Sequence, residues 1–339
     1  MKLAMLAFSE KGLRLAAQLK AVRPEEIDMQ RCPKDGLQHW TEQHFNTADA
    51  LVFIGAAGIA VRAIAPFVRD KTHDPAVLVI DECAEFIIPL LSGHIGGANA
   101  LAKQLAASIG ARAVITTATD CNGLFAVDSW ATEQGYVITN PMRIKQVSAR
   151  LLSGEAIRLK SSFETIISTE LTREIILTDR PPFEVTIGIE NDWDRALKLV
   201  PRILTLGVGC KRGTSAAQIR AAFDDLCTEL HLEPRAFCQV CSIDLKAKES
   251  GLLAFCREAG LPLVTFSSQA LADLPGDFTA SDFVRHITGV DNVCERSAVM
   301  GSAGMLLATK RIFNGVTMAI AQASHTVRIS KAPAQGGAL

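Results

Sequence analysis

The chain has 339 residues, which at about 150 residues per domain predicts two domains, or two with a small connecting module. Its 35 Lys+Arg and 36 Asp+Glu nearly cancel, leaving a formal charge of −1, so no global field draws it to nucleic acid or to an anionic membrane. Hydrophobic residues make up 48% and charged residues 21%, a globular mixture that excludes disorder as the main state of the chain.

The apolar run Leu3 to Phe8 is followed at once by Ser9, Glu10 and Lys11, too short for the core of a secretory signal. The most apolar window, Leu51 to Val61, ends at Arg62, well short of the roughly 18 residues a spanning helix needs. Nine cysteines form an odd count over a long chain, so reduced thiols are expected. Together these features predict a cytoplasmic protein. Cys238-Gln-Val-Cys241 has a metal-ligand spacing but no second pair, which leaves a zinc site and two small apolar thiols on a strand as its readings.

Taken in chain order, Leu3 to Phe8 reads as a buried strand and Gly12 to Lys20 as an amphipathic helix, while residues 21–48 show no clear periodicity. An alternation follows: strand Leu51 to Ile54, helix Gly55 to Ala65, strand Val77 to Ile80, helix Ala98 to Ser108 and strand Ala113 to Ile115. Short continuous apolar strands separated by helices point to a parallel sheet covered on both faces. Asn140-Pro141 starts a helix over Met142 to Leu152, and short runs at Ile166-Ile167 and Ile175 to Leu177 belong to a small central module. Beyond Pro201 the pattern predicts strand Ile203 to Leu206, helix Thr214 to Leu230, strand Val240 to Ile243, helix Lys246 to Ala259 and strand Leu263 to Phe266. Met305 to Ala308 and Val316 to Ile320 read as a hairpin around Asn314-Gly315, a strong two-residue turn signal. The expected fold is therefore α/β: an N-terminal open, mostly parallel sheet domain over 1–135, a central module over 136–201 and a second α/β domain over 202–325. A tail over 326–339 completes the chain, frayed from Pro333 to Leu339.

Four loops place small residues where a strand hands over to a helix and free backbone N–H groups face an anion. Gly55-Ala-Ala-Gly58, with Arg62 one turn on, has neither P-loop nor dinucleotide spacing; it reads as a carboxylate site or as close helix-to-sheet packing. Ser92-Gly93-His94-Ile95-Gly96-Gly97-Ala98-Asn99 joins three glycines, which let backbone approach a ligand, to an imidazole able to exchange a proton near neutrality. His94 is accordingly an acid–base candidate or a structural side chain. Thr116 to Asp120 ends a strand, where ligands bind in open α/β sheets; Asp120 can orient His94, act as a base, or cap the next helix. Asp81-Glu82 carries the same ambiguity. Gly207-Val-Gly209-Cys210-Lys211-Arg212-Gly213 is one residue longer than the dinucleotide fingerprint, with Lys211 and Arg212 placed to neutralise an anion and Cys210 a nucleophile only in principle. Lys246 to Glu249 and Glu295-Arg296 read as surface charge.

The stretches Phe53 to Pro66, Asp74 to Glu82, Leu90 to Ala102 and Ile115 to Asp120 closely resemble the cobalt-precorrin-5A hydrolase family, CbiG, of anaerobic cobalamin biosynthesis. Gly207 to Ser215, Ser242 to Phe255 and Asn292 to Gly304 resemble its C-terminal domain, which also occurs alone in the aerobic pathway. The combination SGHIGGAN with GCKRGTS is far more specific than either glycine pattern alone. Lys211 stands where arginine is common in the family, and it keeps the charge.

The resemblance implies a reaction in which water opens the ring A δ-lactone of a cobalt-bearing contracted tetrapyrrole and the two-carbon unit leaves as acetaldehyde, giving cobalt-precorrin-5B. His94 is then the leading base or acid with Asp120 its partner, or alternatively an axial ligand to the substrate's cobalt. Amides around Gly96 and Gly97 are oxyanion donors. Gly55, Gly58, Arg62, Ser92, Gly93, Asn99, Gly209, Cys210, Lys211 and Arg212 are expected to hold the substrate. No cofactor and no protein-bound metal are expected, because cobalt arrives within the substrate. Transient contacts with neighbouring pathway enzymes and a homodimer are the expected associations, and a non-catalytic corrinoid carrier is the alternative function. A nucleotide-binding enzyme fails on glycine spacing.

Overall fold

The structure is a computed structural model that describes residues 1–22, 26–34, 36–70, 73–191 and 195–331. Backbone contacts divide it into two compact units: Met1–Gln134 with Pro141–Ala156, and Gly135–Asn140 with the chain from Ile157 onward. None of the helices among the described residues is long and apolar enough to cross a membrane.

The first unit runs β1 (Leu3–Ala7), α1 (Glu10–Ala21), β2 (Ile27–Arg31), α2 (Leu37–Phe45), β3 (Ala50–Ile54), α3 (Ala57–Ile64), β4 (Ala76–Ile80) and β5 (Phe86–Leu91). It continues with α4 (Ala98–Ile109), β6 (Arg112–Ala113), α5 (Ala118–Cys121), α6 (Val127–Glu133) and α7 (Ile144–Leu152). The sheet order is β2-β1-β3-β4-β5-β6. In β1, β3 and β4 every residue is buried, because the two-residue side-chain period of a strand sends alternate residues to opposite covered faces. Leu3, Met5, Val52, Ile54, Leu78 and Ile80 pack under α1 and α4. Ala4, Leu6, Leu51, Phe53, Val77 and Val79 pack with Trp40 and Phe45 of α2 and with Ala60, Ala63 and Ile64 of α3.

Two features depart from the expected elements. Residues 21–48, which lack periodicity, contain β2 and α2; β2 is an edge strand with only Ile27 fully covered, so alternation has little to report. More consequentially, Phe86–Leu91 forms a strand that runs antiparallel to β4, with Val77 opposite Leu91 and Ile80 opposite Ile87. Asp81 makes the reversal: its carboxylate accepts from the Cys83 and Phe86 amides at 2.8 and 2.6 Å. The carboxyl end of β5 thus lies at the edge where β1, β3 and β4 begin. The strand expected at Ala113 to Ile115 is a two-residue ladder over Arg112–Ala113, extended by the Val114 amide donating to the Ile87 carbonyl at 2.8 Å.

The second unit holds two five-stranded sheets among its described residues. In the first, β8 (Ile157–Ser161), β10 (Ile175–Leu177), β11 (Val185–Ile187) and β12 (Leu197–Val200) are parallel, and β7 (Val137–Ile138) pairs antiparallel to β12. The second sheet contains β13 (Leu204–Cys210), β14 (Phe237–Ile243), β15 (Leu263–Phe266), β16 (Met305–Phe313) and β17 (Val316–Gln322) in the order β15-β14-β13-β17-β16. α8 (Ala216–Glu229), α9 (Ser250–Ala259), α10 (Ser268–Asp273), α11 (Asp282–Thr288) and α12 (Cys294–Ser302) complete it. β9 (Thr165–Ile167) pairs with β18 (Val327–Ile329). The expected hairpin closes on Asn314-Gly315, with Gly315 at φ +85. The expected fraying of Pro333 to Leu339 lies outside the described residues.

Glu295 and Arg296 are not surface charge. Glu295 is fully buried and accepts from the Thr279 amide (2.8 Å), the Thr279 hydroxyl (2.7 Å) and the Lys310 amide (2.6 Å). Arg296 binds Asp291 at 2.8 Å and the carbonyls of Leu271 and Leu274 at 3.0 and 2.8 Å. Such charges are tolerated in the interior because hydrogen bonds replace water around them; sequence cannot separate them from solvated residues. Cys241 is buried, and burial pushes its thiol up to about 12. Cys238 donates to the Leu204 carbonyl at 3.3 Å. The pair are strand thiols, and among the described residues there is no group of three or more His, Cys, Asp or Glu arranged to hold a metal.

Candidate functional site

The carboxyl ends of β5 and β6 carry the main concentration of chemistry in the first unit. His94 lies between two carboxylates: Nε2 is 2.8 Å from Asp120 Oδ2, and Nδ1 is 3.0 and 3.2 Å from the Asp128 oxygens Oδ1 and Oδ2. Each ring nitrogen thus faces a carboxylate oxygen within hydrogen-bond distance, a geometry that favours a proton on both. Burial pulls the His94 pKa down, but the hydrogen bonds to Asp120 and Asp128 outweigh it and push the value up to about 9. Asp120 is held well below the usual carboxylate range by its bond to His94, against the effect of burial, with help from Thr117 and Lys103.

Asp120 is the hub. Its Oδ2 accepts from His94, from the Thr117 hydroxyl (2.7 Å) and from Asn99 Nδ2 (3.1 Å), while Lys103 Nζ reaches Oδ1 at 3.2 Å. A carboxylate with this many donors is a poor proton acceptor, which removes the reading of Asp120 as a free base. It does not cap α5 either, since Thr117 is the N-cap residue. The cluster therefore joins His94 and Asp120, the expected partners, to Thr117, Lys103 and Asp128, and to Asn99, which the sequence assigned to substrate. Lys103 lies one turn after Asn99 on α4, a signal present in the sequence; Asp128 sits in a separate helix with no motif to announce it.

The glycines of the loop serve its own packing. A Cβ at Gly96 would collide with Ser92, and one at Gly93 would stand 2.9 Å from Asn99 Oδ1. Gly97 has φ +79, a left-handed conformation natural to glycine. Ser92 itself has φ 54, a strained value for a residue with a side chain, and its hydroxyl donates to the Asp74 carbonyl at 2.8 Å. The Gly97, Ala98 and Asn99 amides donate to His94, Ser92 and Gly93 carbonyls at 2.9, 3.1 and 2.9 Å. The Gly97 amide is therefore engaged within the turn rather than open to an oxyanion.

The other expected residues do not join this cluster. Gly55 and Gly58 lie at the opposite edge of the sheet, where the Gly55 amide donates to the Ile80 carbonyl at 2.8 Å. A Cβ at Gly55 would stand 2.6 Å from the Phe8 ring, so close packing explains this glycine. The exposed Arg62 folds back over Gly58, its guanidinium 3.7 Å from where a Cβ would be. In the second unit, Gly209 and Cys210 are the last residues of β13 rather than a loop; a Cβ at Gly209 would collide with the Thr317 hydroxyl. Burial raises the Cys210 thiol, which argues against a nucleophile. Lys211 and Arg212 are exposed at the turn. Beyond them the Gly213 amide donates to Glu249 at 2.8 Å, and Glu249 pairs with Lys246 at 3.2 Å; both of these side chains are largely covered, unlike the surface run expected there.

Comparison with known proteins gives a consistent result. The family model for the cobalamin synthesis G N-terminal region matches residues 39–120, and that for the cobalamin synthesis G C-terminus matches residues 204–321. The chain is 34% identical over 345 residues to the cobalt-precorrin-5A hydrolase of Salmonella typhimurium, covering 94% of this chain and 97% of that protein. It is 32% identical over 300 residues to the cobalt-precorrin-5A hydrolase of Priestia megaterium, covering 82% of this chain and 79% of the relative. The crystal structure of a cobalamin biosynthesis protein G homolog from Sulfolobus solfataricus is 20% identical, with a TM-score of 0.40, and covers 95% of this chain and 97% of that one. Fold and site define an α/β protein whose N-terminal sheet carries a half-buried cluster of His94 with the carboxylates of Asp120 and Asp128. The chain belongs to the cobalt-precorrin-5A hydrolase family, CbiG.

Proposed function

We propose that this chain is a cobalt-precorrin-5A hydrolase that opens the ring A δ-lactone of a cobalt-corrinoid with His94 as the general acid. The observation that carries the mechanistic reading is the His94 ring held between the carboxylates of Asp120 and Asp128. Water adds to the lactone carbonyl and the acyl C–O bond breaks. The departing alkoxide takes a proton from His94, and the proton of the new carboxylic acid returns to the ring. Loss of acetaldehyde is then a retro-aldol cleavage: the freed hydroxyl gives up its proton, its C–C bond breaks and the electron pair stays with the macrocycle until it is protonated. A protonated ring near neutrality suits the first step, whereas ligation of cobalt would require a ring nitrogen that carries no proton.

The chemistry needs no resident cofactor, since cobalt belongs to the substrate. A labile intermediate of this kind is suited to the cytoplasm and to transient contact with neighbouring pathway enzymes. Incubating the purified protein with cobalt-precorrin-5A and trapping acetaldehyde tests the proposal. His94→Gln is expected to lower the rate by about 10²- to 10⁴-fold. Wild-type turnover in that variant refutes the acid, and stoichiometric corrinoid binding without any aldehyde favours a carrier.

A further inference from the structure

Of the two carboxylates on His94, Asp128 is the more deeply set. Its side chain is 5% exposed against 20% for Asp120, and both of its oxygens face Nδ1. Its other contacts belong to its own helix: the Ser129 amide donates to Oδ1 at 3.1 Å and the Thr132 hydroxyl to the Asp128 carbonyl at 2.9 Å. α6 is itself seated by the buried Trp130 and Ala131, with Trp130 packed 5.8 Å from the Phe125 ring. Asp120 approaches Nε2 from the more open side and is shared with Asn99, Thr117 and Lys103. The charged groups facing the ring are thus Asp128 from α6, Asp120 from α5 and, through Asp120, Lys103 from α4.

We propose that Asp128 is the positioning residue of this site: it holds His94 through Nδ1, while Nε2, whose partner Asp120 lies on the more open side, turns from Asp120 to exchange a proton with the reacting oxygen. A buried carboxylate on one imidazole nitrogen fixes the tautomer and orientation of the ring while the other nitrogen does the chemistry. The inference rests on His94 being the acid, and it assigns to α6 a part in the reaction that the glycine loop alone does not supply.

The test uses full-length wild type, Asp128→Asn and Asp128→Glu in two readouts. Nitrogen NMR of His94 without substrate follows its titration, and the pH profile of acetaldehyde release follows catalysis. The Asp128→Asn variant is expected to lower the His94 midpoint, to move the alkaline limb of the rate profile with it, and to reduce kcat at least about tenfold with little change in KM. Asp128→Glu is expected to restore part of both. A folded Asp128→Asn protein whose His94 titrates as in wild type overturns the proposal. So does a wild-type ring that is singly protonated at neutral pH, a result independent of whether any variant folds. If the midpoint falls but no protein releases acetaldehyde, the hydrolase reading fails while the positioning role stands.

Discussion

His94 shows how much a single residue's meaning depends on its partners. The folded ring keeps its proton to about pH 9, whereas an unfolded imidazole releases it near 6.5. The stabilisation from the charged ring is therefore complete below about pH 6.5 and lost as pH rises through about 9, with a size on the order of 3 kcal/mol. Asp120 sets the acid end: its depressed pKa makes its contribution present above about pH 4 and lost as pH falls further. Urea unfolding of wild type and His94→Gln is expected to give a stability gap that narrows between pH 6 and pH 9.5. A gap independent of pH in that range contradicts the imidazolium. The sequence marked His94 and Asp120 through a loop and a strand end, but not the second carboxylate, because nothing local distinguishes Asp128 from other acids in short helices.

At the scale of elements, glycine patterns that read as ligand loops divide into two physical kinds. Around His94 they shape a turn that presents a side chain. In β13 they let a helix approach a strand: a Cβ at Gly207 would occupy the place of the Cys294 carbonyl at the start of α12. Gly207→Ala must push α12 off the sheet, and interiors packed at crystal-like density do not yield readily. A loss of about 1–3 kcal/mol or more is expected, read as a lower urea midpoint with an unchanged m-value; wild-type stability refutes the close approach. The antiparallel β5 belongs to the same scale. Its run Phe86 to Leu91 contains Pro89, which weakens a strand reading, yet β5 decides which edge of the sheet receives the His94 loop.

Over the whole molecule, each unit has its own core. β1, β3 and β4 divide their side chains between two apolar clusters in the first unit, while Phe223, Phe237 and Phe255 meet edge to face in the second, with ring centroids 5.0 and 5.7 Å from Phe223. Phe223→Ala is expected to cost about 3–5 kcal/mol. In native-state amide exchange the protection of β13 and β14 is expected to fall while that of β1, β3 and β4 holds. Equal loss in both sets contradicts separate cores.

Composition and apolar runs by themselves determined the α/β class, the central strands, the paired closing hairpin and the loop that carries His94, because burial on both faces of a sheet and a two-residue turn leave local marks in the chain. Tertiary structure alone decided that Gly55 and Arg62 lie at the opposite edge from His94, that Gly209 packs a strand, that Glu295 is buried, and that Asp128 meets Nδ1 of His94. The physical reason is common to all four: strand direction, close approach and charge pairing are relations between distant segments. A residue's own neighbours in sequence carry little record of which atoms it will meet.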